Sequence, residues 1–96
     1  MTRAIEHRSA QHCFFYEEQG HQAYLEYTLQ DKVLSITHTW VPAPLGGQGI
    51  AADLTRAALA YAQDNHWTVR PVCSYAARFI ERNQEYQPLL APTQPE

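Results

Sequence analysis

Residues 38–52 read His38-Thr39-Trp40-Val41-Pro42-Ala43-Pro44-Leu45-Gly46-Gly47-Gln48-Gly49-Ile50-Ala51-Ala52, and the reading of this stretch decides the fold. It starts as the end of a strand, breaks at two prolines, turns on three glycines and enters alanine-rich sequence. Working backward, Lys32 to Val41 alternates Val33, Ser35, Thr37, Thr39 and Val41 with Leu34, Ile36, His38 and Trp40. That alternation predicts a strand with His38 and Trp40 on the Leu34 and Ile36 face. Apolar residues on both of its faces predict a central strand covered on two sides. Gln22 to Gln30 alternates Ala23, Leu25, Tyr27 and Leu29 with Tyr24, Glu26 and Thr28, and His12 to Glu18 is an earlier, aromatic-rich strand. Gly20 and Asp31-Lys32 mark turns, and strands joined by turns this short are antiparallel neighbours. A three-stranded meander follows.

Working forward, Ile50, Leu54, Ala57, Ala58 and Tyr61 recur at helical spacing within Gln48 to Asn65. Trp67 to Cys73 is a fourth strand, and Ser74 opens a last helix running to about Arg82. Strand, helix, strand is a crossover unit, so the third and fourth strands are expected to be parallel and the crossover right-handed. The fold class is α+β.

A chain of 96 residues holds one domain, assigned to residues 1–90, with a flexible tail at 91–96. Pro88, Pro92 and Pro95 predict an extended end, with Leu89 and Leu90 anchoring its start. Lys plus Arg is 7 against 10 Asp plus Glu, a net charge of -3, which argues against a nucleic-acid module. No apolar run reaches the roughly 20 residues that cross a bilayer, and Met1 to His12 has no apolar leader segment. Cys13 and Cys73 form no CxxC, so a reduced, cytoplasmic setting is expected. His7, His12, His21 and His66 lack ligand spacing, and no metal is expected.

The glycine turn carries the chemistry. Leu45-Gly46-Gly47-Gln48-Gly49-Ile50-Ala51 lies between a strand and a helix start. Glycines there let backbone N–H groups turn outward without a Cβ in the way, and the helix dipole adds partial positive charge. Such a turn suits phosphate or pyrophosphate, although a purely structural turn uses glycine too. No lysine follows Gly49, so it is not a P-loop. A dinucleotide fingerprint wants an acid at the end of the next strand, where Val72-Cys73 stand instead.

A third pattern is met. Gly49 and Ala51 fill the Gly and Gly/Ala positions of Arg/Gln-x-x-Gly-x-Gly/Ala, the acetyl-CoA turn of the GNAT acetyltransferases. His38-Thr39-Trp40-Val41-Pro42, Pro71-Val72-Cys73-Ser74-Tyr75 and Phe79-Ile80-Glu81-Arg82-Asn83 resemble a subfamily of very short, single-domain GNAT proteins. The resemblance covers about residues 12–90 and implies a minimal N-acetyltransferase that moves an acetyl group from acetyl-CoA to an amine. It implies a pyrophosphate on the N–H groups of Gly47, Gln48, Gly49, Ile50 and Ala51, with Gly46 also among the cofactor-binding residues. It also implies a pantetheine arm paired with the backbone of Thr39, Trp40 and Val41, where the parallel strands splay. Pro71 agrees independently, because it lacks the N–H that a paired central strand requires. The sequence departs from the family pattern in three ways. Gly46 replaces the first Arg or Gln, Phe79 and Ile80 stand where many members carry a tyrosine acid, and the long N-terminal helices are missing.

Two residues are candidates for catalysis. Cys73 precedes a helix start, where positive potential lowers a thiol's pKa. It is read as nucleophile, as acid for departing CoA, or as a small packed residue. His38 is read as a base for the acceptor amine or as a hydrogen-bonded core histidine. Tyr75 and Tyr86 are rim or core residues near the acceptor, and Arg78 and Arg82 a solvated face or contacts to the CoA 3′-phosphate. The rival functions are a CoA-binding module without turnover and a thioester hydrolase pairing Cys73 with His38. The expected state is a monomer or a weak homodimer paired through an aromatic edge strand.

Overall fold

The computed structural model describes residues 4–91. Five strands form one mixed sheet in chain order: β1 (Glu6–Arg8), β2 (Cys13–Glu18), β3 (His21–Gln30), β4 (Val33–Trp40) and β5 (Thr68–Pro71). The first four are antiparallel neighbours, and β5 runs parallel to β4. Helix α1 (Ile50–Asp64) makes the crossover, and α2 (Ser74–Arg82) follows β5. The α+β class, the crossover and the parallel pair match the sequence reading.

The meander has one strand more than expected. With three residues β1 is too short for alternation to reveal, and side chains rather than periodicity hold it. His7 stacks on Phe14 at 4.1 Å between centroids, and its Nε2 lies 2.6 Å from the Tyr27 hydroxyl.

Both helices cover the same face of the sheet. Phe14, Leu25, Tyr27, Leu34, Ile36 and Val69 from the strands join Leu54, Ala58 and Leu59 of α1 and Ala76, Phe79 and Ile80 of α2 in one buried cluster. Alanines at 58 and 62 let α1 approach the sheet closely. Contrary to the expectation of cover on two sides, no described helix lies over the opposite face. There, the register aligns Phe15 with Tyr24 and Tyr24 with Trp40. Phe15 is nevertheless buried, with the Arg8 guanidinium 3.8 Å above its ring.

Two irregularities shape the functional end. Glu26 pairs with His38 but Tyr27 pairs with Ile36, which leaves Thr37 as an extra residue in β4. This is a β-bulge, and it moves the alternation of the strand by one position. Thr37 Oγ1 secures it by donating to the Glu26 carbonyl at 3.2 Å. Beyond the bulge Thr39 joins the face of Ile36, while His38 and Trp40 turn to the uncovered face. The strict alternation expected from sequence fails here.

The second irregularity is the end of the parallel ladder. Its last pair is Ile36 with Pro71, and the Ile36 carbonyl then accepts both the Val72 and the Cys73 amides, at 3.0 and 2.9 Å. β4 continues to Trp40 paired with β3 alone. The two strands part there, as Pro71 suggested.

At the other end, a 3-10 helix (Gln84–Leu89) brings Leu90 beside Val69, and Ala91 N–H donates to the Val69 carbonyl at 2.8 Å. Leu89 and Leu90 pack on the core as expected, and the segment caps the free edge of β5. The rest of the proposed tail lies outside the described residues. Among those described, no helix is long and apolar enough to cross a membrane.

Burial pushes the Tyr27 phenol up to about 12, with Tyr61 adding to the shift. The folded state therefore holds the proton that the unfolded chain releases near pH 10. Stability is lost as pH rises from about 10 towards 12. Urea denaturation midpoints across that range are expected to fall in the wild type and to fall less steeply in Tyr27→Phe.

Candidate functional site

The site begins where β4 ends. Pro42 starts a 3-10 turn (Ala43–Leu45) closed by Leu45 N–H to the Pro42 carbonyl at 2.9 Å and Gly46 N–H to Ala43 at 3.0 Å. Buried Leu45 pins this turn to the core. Gly47 and Gly49 then adopt φ of +76° and +78°, a region that L side chains rarely enter. A Cβ on either would meet nothing within 4 Å, so the glycines serve the backbone path and leave open space above it.

Gly49 is the N-cap of the 15-residue α1, and its carbonyl accepts the Asp53 amide at 3.1 Å. The amides of the first turn have no acceptor within the helix, and they gather at its positive end. A cavity of about 250 Å³ opens over them, walled by Val41, Leu45, Gly46, Gly47, Gly49, Ile50, Ala51, Ala52 and Tyr75. It has an apolar wall on the strand side and a backbone cradle on the helix side. That combination suits a ligand with a phosphate group and an alkyl arm.

Beside the cavity, on the same face, Cys73 stands at the N-cap of α2. Its Sγ lies 3.6 Å from Thr39 Oγ1, across the gap between the parted strands. Burial works against ionisation of this thiol. The amides of Ala76 and Tyr75 and the Thr39 hydroxyl outweigh it and hold the thiol below its ordinary value. Cys13 differs. Burial pushes its thiol up, and it sits on the uncovered face, away from the cavity.

The structure thus gathers most of the residues read from sequence. Val41, Gly46, Gly47, Gly49, Ile50 and Ala51 wall one cavity, with Gln48 in the loop between the two left-handed glycines. Thr39 and Cys73 meet. His38 does not join them. The bulge at Thr37 sends its ring to the uncovered face, 5.8 Å from the Tyr24 ring, and no Cys73–His38 pair is assembled. The Trp40 side chain also leaves on that face, 49% exposed. Its backbone stays at the gap.

Sequence reasoning missed three contributions. Tyr75 walls the cavity rather than only its rim, because the first turn of α2 faces the start of α1. The Thr39 hydroxyl, not only its backbone, belongs to the site. Arg56 lies over the ring of Phe79 at 5.4 Å and pairs with Asp53 at 3.1 Å; burial holds the Tyr75 phenol above its ordinary value, with the charges of Arg56 and Arg82 opposing that shift. The i,i+3 spacing of Asp53 and Arg56 was the available signal. No cluster of metal-ligating side chains occurs among the described residues.

A family model described as GCN5-related N-acetyl-transferase matches residues 13–89. The chain belongs to the GCN5-related N-acetyltransferase family. A GCN5-like protein from Staphylococcus aureus, solved in solution by NMR, is similar to it with a TM-score of 0.74 and 25% sequence identity. The alignment covers 97% of this chain and 92% of that one. The match spans the meander, the crossover and both helices, so the cavity lies inside the shared fold. Family membership gives the activity class, acetyl transfer, and the five-stranded sheet is the acetyltransferase fold of the neighbour.

Two measurements probe the site without any ligand. Cys73 is expected to alkylate with iodoacetamide faster than Cys13 at pH 8, and Thr39→Val to slow Cys73 while leaving Cys13 unchanged. Gly49→Ala is expected to cost about 1 kcal/mol in urea denaturation, because the left-handed backbone is strained while the added methyl has free room.

Proposed function

We propose that this chain is an acetyl-CoA-dependent N-acetyltransferase in which the glycine cradle and the gap between β4 and β5 hold the donor. The observation that carries this reading is the joint opening of the parallel ladder after Ile36 and Pro71 beside a cavity of about 250 Å³ over the start of α1. The cavity fits the donor by its chemistry. The backbone amides at the start of α1, which have no acceptor within the helix, match a pyrophosphate, the Gly46 amide being spent on the Ala43 carbonyl, and the left-handed glycines leave the space a Cβ would occupy. The backbone of Thr39, Trp40 and Val41, no longer paired with β5, offers hydrogen-bonding groups to an extended amide-bearing arm, as an added strand would find them.

When bound, acetyl-CoA supplies an activated acyl carbon. Cys73 stands beside the gap with its thiolate favoured by Thr39 and by the amides of α2. In our reading Cys73 Sγ takes the acetyl group, and the displaced CoA sulfur leaves with a proton. An unprotonated amine then forms the C–N bond as the Cys73 C–S bond breaks. The proton lost by that amine returns the cysteine to its thiol. Thr39 holds the sulfur in place throughout, and α2 contributes fixed dipoles. Much of the acceleration comes from alignment of the two substrates at one point of the sheet.

Calorimetry is expected to find saturable binding of acetyl-CoA, weakened about tenfold or more by Gly47→Val, whose side chain would enter the cradle. Mass spectrometry after incubation with acetyl-CoA and no amine is expected to find one added acetyl group on Cys73. Unchanged turnover by Cys73→Ala would remove the nucleophile role. Binding without turnover on any amine would make the protein a CoA-binding module.

A further inference from the structure

We infer that Trp40, Tyr24 and Glu26 form a cation-recognition subsite for the acceptor on the uncovered face of the sheet, and that the acceptor is a basic polypeptide segment. The inference deepens the acetyltransferase reading and rests on it for the identity of the reaction, but not for the binding.

The subsite is a product of the bulge. Without the extra residue at Thr37, Trp40 would follow Ile36 onto the helix-covered face. With it, Trp40 stands opposite Tyr24 on the other side of the sheet, while Val41, the next residue, walls the donor cavity. A single strand therefore separates the donor cavity from Trp40. An acceptor resting on the Trp40 side lies across the sheet from the donor cavity, near the end of β4 where Thr39 meets Cys73.

The composition of this patch points to a cation. Trp40 is 49% exposed, and the half-buried Tyr24 is its cross-strand neighbour, paired in turn with Phe15, with its ring 5.8 Å from that of His38. One rung away on the same face is Glu26, exposed, facing His38 and without a cationic partner among the described residues. The same face already shows what these components do together. Two strands away, the Arg8 guanidinium lies 3.8 Å over the Phe15 ring and is held by the Glu6 carboxylate at 2.7 Å. Trp40, Tyr24 and Glu26 repeat that set of aromatic surface and carboxylate with no cation of their own. Indole is the best of the aromatic platforms for a cation.

A cation held there is not the amine that reacts, since the nucleophile must be unprotonated. The acceptor thus carries at least two basic groups, one to dock and one to enter the gap. The openness of the patch selects among such molecules. Sites for small ligands enclose about 70–90% of the ligand surface, and a patch formed by exposed Glu26, exposed His38 and a half-exposed Trp40 encloses little. A polypeptide gains its contacts along the sheet face instead and needs no enclosure. The net charge of -3 favours its approach.

The test uses the whole chain and a capped hexapeptide carrying one lysine and one arginine three residues apart, with no acetyl-CoA present. Titration is expected to move the Trp40 indole N–H resonance saturably and to leave that of Trp67 in place. Glu26→Gln is expected to weaken the peptide about fivefold, and Trp40→Leu by a similar factor, with acetyl-CoA affinity by calorimetry unchanged for Glu26→Gln. The same peptide with norleucine and glutamine in place of its two basic residues is expected not to bind. No saturable shift, or equal affinity in wild type and Glu26→Gln, overturns the subsite. Spermidine that binds in a Glu26-dependent manner more tightly than the peptide overturns the polypeptide acceptor. Glu26-dependent peptide binding by a chain that ignores acetyl-CoA sinks the acetyltransferase reading and leaves the subsite standing.

Discussion

The Ile36 carbonyl accepts two amides, those of Val72 and Cys73, and the functional end of this molecule depends on that one branching point. Up to Ile36 the parallel strands share a regular ladder. Pro71 has no N–H to continue it, and the double acceptance at Ile36 turns the chain out of the sheet and into α2. The remainder of β4 would be a costly stretch of unpaired backbone in the middle of a buried sheet. Here it borders a cavity, and its free groups become a surface that a ligand can pair. The same turn delivers Cys73 to the first amides of α2 and to the Thr39 hydroxyl.

The bulge at Thr37 works with that branching point. It places Thr39 against the sulfur and sends His38 and Trp40 to the opposite side, so two successive residues of one strand serve two different surfaces. A regular strand could not do this without burying Trp40 under the helices. The arrangement leaves that sheet face without a covering helix among the described residues.

Much of this was legible in the sequence, and for physical reasons. The alternation in β3 and the spacing of Ile50, Leu54 and Ala58 reflect burial on one face, which leaves a periodic mark. The glycines at 47 and 49 mark backbone that other residues adopt only under strain. Pro71 marked the end of the ladder because a missing donor is a local property. What was not legible depends on partners distant in the chain. The strand Glu6–Arg8 has no pattern of its own and is held by His7 on Phe14 and Tyr27. The bulge has no marker at Thr37, since its hydrogen bond goes to Glu26 on the neighbouring strand. His38 was therefore placed on the wrong face, and its pairing with Cys73 fell with that placement. Tyr75 was legible as a residue near the site but not as a wall of the cavity, because that depends on how the starts of α1 and α2 face each other.

The central claim is that the parted strands and the glycine cradle together receive one extended ligand. Amide resonances of the whole chain, followed by NMR during an acetyl-CoA titration, test this most directly. The account predicts saturable shifts concentrated at Thr39 to Val41, Gly46 to Ala51 and the start of α2, with β1, β2 and the far end of α1 undisturbed. Saturable shifts centred elsewhere, or none at millimolar acetyl-CoA, would contradict it.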